Sequence, residues 1–104
     1  MRDPRLDTLV ANLLDYSLDL QPGEKVLIEG ESGSVDLVIA LVEGAYARGA
    51  VPYADLGDER LRRAYLLGAT REQMDLRASW EMYKVKDLDA SVYILAGDNF
   101  SELA

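Results

Sequence analysis

No cysteine and no histidine occur among the 104 residues. Without cysteine, neither a disulfide framework nor a thiolate metal site is available. Without histidine, the commonest general base and the commonest transition-metal ligand are both missing. A Ser-His-Asp triad, an HExxH zinc site and a catalytic zinc of the His/Glu type are therefore excluded within this chain. No apolar run approaches the about 18 residues of a membrane span. The opening MRDPRLDTL is too charged for a signal peptide, which makes the cytoplasm the default compartment. Basic residues are scarce: 11 Lys and Arg stand against 19 Asp and Glu, a formal net charge of −8. Phosphate backbones and anionic membrane surfaces repel such a chain, so neither nucleic acid nor membrane is expected as a partner. Internal repeats, low-complexity tracts and interior linkers are also missing.

What is present is ordinary globular composition, 49% hydrophobic and 29% charged, which argues against global disorder. The length suits one domain with one core, since domains usually run to roughly 100–150 residues.

The organising stretch is Glu24 to Leu56, which reads as a buried strand, a Gly/Ser loop, an apolar helix, a glycine stop and a second strand. That is one βαβ unit. Val26, Leu27 and Ile28 form an apolar run without alternation, the pattern of a parallel strand covered on both faces. Ser34 is placed to cap the following helix. From Val35 to Tyr46 that helix is apolar around much of its circumference and is expected to be deeply packed. Gly49 is a natural C′ residue. In the second strand, Val51 to Leu56, Pro52 removes a ladder donor and points to a sheet edge.

Ahead of this unit, Asp3-Pro4 is an N-cap followed by proline at the first helical position. Leu6, Leu9, Val10, Leu13 and Leu14 then repeat at helical spacing, predicting a helix over about residues 4–18. Behind the unit, Asp58 caps a helix running to about Leu67, with Gly68 closing it. Thr70 with Gln73 forms a capping box for another helix, expected to carry Met74, Trp80 and Tyr83 inward. Ala90 to Leu95 is a third apolar strand. Right-handed crossovers then give a three-layer α/β fold: a short parallel sheet of about three strands, order 2-1-3, with helices on both faces.

Two constellations bear on chemistry. Gly30-Glu31-Ser32-Gly33-Ser34 follows a strand and opens a helix, where phosphates bind in α/β folds. It lacks GxGxxG and GxxxxGK[ST], and Glu29, Glu31 and Asp36 would repel an anion, so a plain βα turn is the reading. Glu29, Asp55 and Asp98 lie at or just beyond the carboxyl ends of the three predicted strands, with Glu31, Asp58 and Glu59 nearby. Ligands of open α/β sheets bind at that edge, and carboxylates there could attract a hard cation or a peptide amino terminus. No EF-hand or receiver-type spacing supports a cation site, so solvated rim charges and helix caps are preferred. The dispersed aromatics (Tyr16, Tyr46, Tyr53, Tyr65, Tyr83, Tyr93, Trp80 and Phe100) read as core and rim residues, not a stacking platform. Met74 and Met82 read as core filler. In the tail GDNFSELA, Asn99 with Glu102 opens a helix that has no body. The expectation is a boundary cut through a longer protein, with a frayed terminus of a complete domain as the alternative.

Three segments, DPRLDTLVANLLDYSLDLQPGEKVLIEGE, ALVEGAYARGAVPYADLGDE and DASVYILAGDNFSELA, together resemble the N-terminal domain of the M29 metalloaminopeptidases, the thermophilic aminopeptidase T type. Asp15-Tyr16-Ser17, Gln21-Pro22-Gly23-Glu24, Gly97-Asp98-Asn99 and Glu102-Leu103 carry most of the likeness, which spans essentially the whole chain in order. The resemblance implies a cytoplasmic, usually dimeric exopeptidase that removes N-terminal residues from peptides with two divalent metal ions of the zinc, cobalt or manganese type. The family's Glu, His and Asp ligands lie in a C-terminal metal-binding domain, the implied partner of this one. No catalytic, cofactor-binding or metal-binding residue is therefore carried onto positions 1–104, and this chain alone is expected to be inactive. A stand-alone module binding a small ligand or cation, and a structural oligomerisation domain, are the alternatives.

Overall fold

The structure is a computed structural model and describes residues 3–95. Helix α1 (Pro4–Ala11) begins where Asp3 accepts the Arg5 N–H at 2.9 Å, with proline next in line. It continues as a π-helical turn, Asn12–Ser17, closed by the Leu18 N–H donating to the Leu13 carbonyl at 2.9 Å. Strand β1 (Lys25–Glu31) follows, then a single 3₁₀ turn, Ser32–Ser34, and helix α2 (Val35–Ala47). Gly49, at φ +78°, reverses the chain as only glycine does freely, into strand β2 (Val51–Gly57).

Helix α3 (Glu59–Gly68) starts at Asp58, whose carboxylate accepts the Arg60 N–H at 2.8 Å. The capping box forms as read: Thr70 Oγ1 accepts from Gln73, and the Gln73 side chain accepts from Thr70, opening helix α4 (Arg71–Val85). Strand β3 (Ala90–Ile94) completes a parallel three-stranded sheet in the order β2-β1-β3, matching the expected topology. Among the described residues no helix is long and apolar enough to cross a membrane.

The core lies between the sheet and the α1–α2 layer. Val26 and Ile28 point from β1 into a cluster with Leu6, Leu9, Val10, Leu14, Leu37, Leu41 and Ile94. Leu27, next along β1, is buried on the opposite face, so the central strand is covered on both sides. That opposite cover is thin. Helices α3 and α4 bury no residue and make sparse contact with the sheet.

Four expectations need correcting. Met74, Trp80 and Tyr83 do not point inward; they are 46%, 59% and 72% exposed. The reason is that α4 turns a polar stripe toward the sheet, leaving Glu81 and Lys84 as its half-buried positions. Met82 is likewise exposed, so neither methionine fills a core. The described aromatics lie at the rim or outside it, none of them buried. Finally, α2 is packed on one side only: Leu37, Val38, Ala40, Leu41 and Ala45 are buried, whereas Val35, Ile39 and Tyr46 face outward. The tail from Asn99 onward lies outside the described residues.

Candidate functional site

The parallel register sets Glu29 beside Asp55 on one flank and Tyr93 on the other. Period-two alternation along β1 turns Glu29 and Glu31 away from the Val26–Ile28 core face, toward α3 and α4. Glu31, Asp58 and Glu59 line the same open cleft of about 740 Å³, closed on its far side by Leu61, Tyr65, Arg77 and Lys84. Five of the six acidic residues singled out in the sequence thus share one edge. The sixth, Asp98, lies outside the described residues.

The cleft supplies its own cation. Lys84 Nζ lies 3.0 Å from Glu81 Oε2 and 3.9 Å from Glu29 Oε2. Its pKa is raised chiefly by the hydrogen bond to Glu81, with Glu29 and Asp55 adding to it against the opposing effect of burial. Glu81 is held below its ordinary value mainly by the same bond. Arg77 approaches Glu81 at 3.5 Å and lies over the Tyr65 ring at 5.8 Å from its centroid, tying α4 to α3. The ammonium therefore lies where a hard cation would have to enter. Among the described residues no three His, Cys, Asp or Glu side chains converge on one point. Reading the sequence for chemistry passed over Arg77, Glu81 and Lys84. Their signal was available as a polar stripe at i, i+4 and i+7 on a helix with apolar residues elsewhere.

Asp58 is engaged differently. Its carboxylate takes Arg60 Nε at 3.0 Å and Nη2 at 2.7 Å, as well as the helix N–H. These bonds, the guanidinium first, lower its pKa from 3.8 to about 2. A carboxyl whose pKa falls on folding contributes above its unfolded value, and the contribution is lost as pH drops through the folded one. The cap should therefore hold above pH 3.8 and be lost toward about pH 2. An NMR titration of the Asp58 side chain should show a midpoint near 2, moving back up in Arg60→Gln. An Asp58 midpoint at the ordinary value would show that the cap does not form in solution.

The Gly/Ser loop is a packing device. Strand β1 runs through Gly30 and Glu31, leaving only Ser32–Ser34 as the turn. Ser34 does not cap α2 with its side chain; its hydroxyl donates to the Glu31 carbonyl at 2.7 Å. A Cβ on Gly30 would fall 2.8 Å from both Ser34 Oγ and Val38 Cγ2. Glycine there allows helix and strand to approach closely. The Ser34 hydroxyl is thus turned to its own backbone, and the loop's flanking charges are acidic.

The family model of the thermophilic metalloproteases (M29) matches residues 2–104. Among solved structures, wild-type AmpT from Thermus thermophilus is similar, with 32% sequence identity and a TM-score of 0.56. The similar region is 67% of this chain and 18% of the AmpT chain, so the present sequence corresponds to a small part of that protein. No curated protein matches the chain. A family match over nearly every residue, on a fold shared with AmpT, establishes that the chain belongs to the M29 family of metalloproteases.

Proposed function

We propose that the chain is the N-terminal, non-metal-binding domain of a metal-dependent aminopeptidase that removes N-terminal residues from peptides. The observation that carries this reading is the M29 match across residues 2–104. In this reading a C-terminal metal-binding domain of the same protein holds two divalent ions of the zinc, cobalt or manganese type. The present domain shapes the peptide cleft or the contact between two subunits of a cytoplasmic homodimer.

The described residues do not offer the donor set of a two-metal centre. Such centres need several unencumbered N or O donors around ions roughly 3.5–4 Å apart. Here imidazole is absent, Glu29 faces Lys84, and Asp58 is taken up by Arg60 and its own helix terminus. No step of peptide hydrolysis is therefore assigned to these residues. What they offer is a wall: a sheet edge carrying Glu29 and Asp55, faced by Tyr65 and Arg77.

The purified chain, given cobalt, zinc or manganese, should show no turnover of an amino-acid anilide. Steady turnover that survives further purification would place catalysis within these residues and sink the proposed division of labour.

A further inference from the structure

We infer that helices α3 and α4 form a hinged flap over the second face of the sheet, latched by Lys84 and able to open while the rest of the domain stays folded. The inference is independent of the proposed function. It starts from burial: neither helix buries a residue, and among the described residues neither packs closely on a strand or on the other helix. Elements without buried apolar contacts occupy the low end of a protein's local stability. The space between them and the sheet is not filled either. A cleft of about 740 Å³ lies on one side of Lys84, lined by Glu29, Tyr65 and Arg77. Another of about 720 Å³ lies on its other side, lined by Leu27, Tyr53, Tyr83 and Leu88. Lys84 and Asp55 belong to both.

Lys84 is thus the bridge across an open face. Its ammonium lies 3.9 Å from Glu29 Oε2 on β1 and is steadied by Glu81 of its own helix at 3.0 Å. Such a contact parts easily, because water solvates both charges once they separate. Leu27 is the buried side chain that opening would uncover, which weighs against the open state by roughly ten- to a hundredfold. Global unfolding is disfavoured far more, by roughly several thousandfold or above. The flap also has joints. Strand β2 ends at Gly57 and α3 begins at Glu59. At the other end Asp89 is pinned to β1, its N–H donating to the Lys25 carbonyl at 2.9 Å and its carboxylate accepting the Lys25 N–H at 2.8 Å. The chain pivots between Val85, where α4 ends, and this anchor. Between the joints the helices are held together by the short Ala69-Thr70 link and by Arg77 over the Tyr65 ring. Opening would merge the two clefts and bare the carboxyl edge of the sheet, where ligands of open α/β folds bind.

The test is hydrogen exchange of the 104-residue chain, read by mass spectrometry. Helices of 10 and 15 residues are marginal in water once detached, so their amides exchange from the open state. Amides of α3 and α4 should be protected at least about tenfold less than those of α2, with a weaker dependence on urea because opening exposes less surface. Two variants separate the flap from the core. Glu29→Gln alters neither helix, yet it should speed exchange in both together by roughly two- to fivefold, whereas Glu31→Gln should not. Ile28→Val, mild enough to fold and on the opposite face of β1, should speed exchange in α2 by roughly two- to tenfold and leave α3 and α4 as they were. If α3 and α4 instead follow α2 in Ile28→Val, they open only with the whole domain and the flap is overturned. A response to Glu29→Gln that is confined to α4, or absent, would overturn the latch and with it the inference.

Discussion

Ile28→Asp should leave the chain unfolded at room temperature, with no cooperative thermal transition by circular dichroism. Ile28 is fully buried at the centre of the middle strand, flanked in register by Ala54 on one side and Val92 on the other. Its side chain enters the cluster made by Leu14, Leu37 and Leu41. No described cation shares that cluster, so an introduced carboxylate would be desolvated without a partner. The change loses the apolar contacts of isoleucine and adds the penalty of a buried charge or of the proton that neutralises it. Together these should exceed about 4 kcal/mol, a large share of the roughly 5–15 kcal/mol that holds a domain together. Glu31→Gln, at the outer end of the same strand, should change stability by no more than about 0.5 kcal/mol. Equal melting temperatures for the two variants would overturn the placement of β1.

The side of the sheet covered by α1 and α2 was legible because its signals agree with one another. The Leu6–Leu14 stripe, the unbroken Val26–Ile28 run, Pro52 and Gly49 each give the same answer, and they produce the observed core, edge strand and turn. The α3–α4 side was only half legible. Its boundaries were written in local chemistry, in the Asp58 and Thr70–Gln73 caps, and these formed. Its orientation was not. Apolar spacing identifies a helix face that wants to leave water, but it does not say whether the sheet or another surface will receive it. Met74, Trp80 and Tyr83 were assigned to the sheet on spacing alone, while Glu81 and Lys84 took that side. The carboxyl-edge acids were found by strand position. Their neutralisation by Lys84 arises from a register between α4 and β1, 55 residues apart in sequence, which no local pattern encodes.

Gly44→Val should destabilise the domain by about 3 kcal/mol, seen as a lower denaturation midpoint with little change in slope. The position looks unremarkable in sequence, one small residue in the apolar run of α2. In the structure it is where α2 packs against the first helical segment. A Cβ at Gly44 would lie 2.7 Å from Val10 Cγ1 and 3.0 Å from Leu14 Cδ1. Both neighbours are buried core residues, so neither can swing into solvent to make room. The obstruction also strains a clamp nearby. Arg48 donates to the Gly44 carbonyl at 2.9 Å while its Nε and Nη2 hold Asp15 in the π-helical turn at 2.6 and 3.0 Å. A helix pushed outward at residue 44 would pull Arg48 from one of these partners. Against this stands the higher helix propensity of valine over glycine, worth less than about 1 kcal/mol and too small to reverse the sign. Gly33→Val is the control, since a Cβ there meets nothing within 4 Å. If Gly44→Val were as stable as Gly33→Val, the two helices would not cross at this distance in solution, and the core would have to be rebuilt around a wider interface.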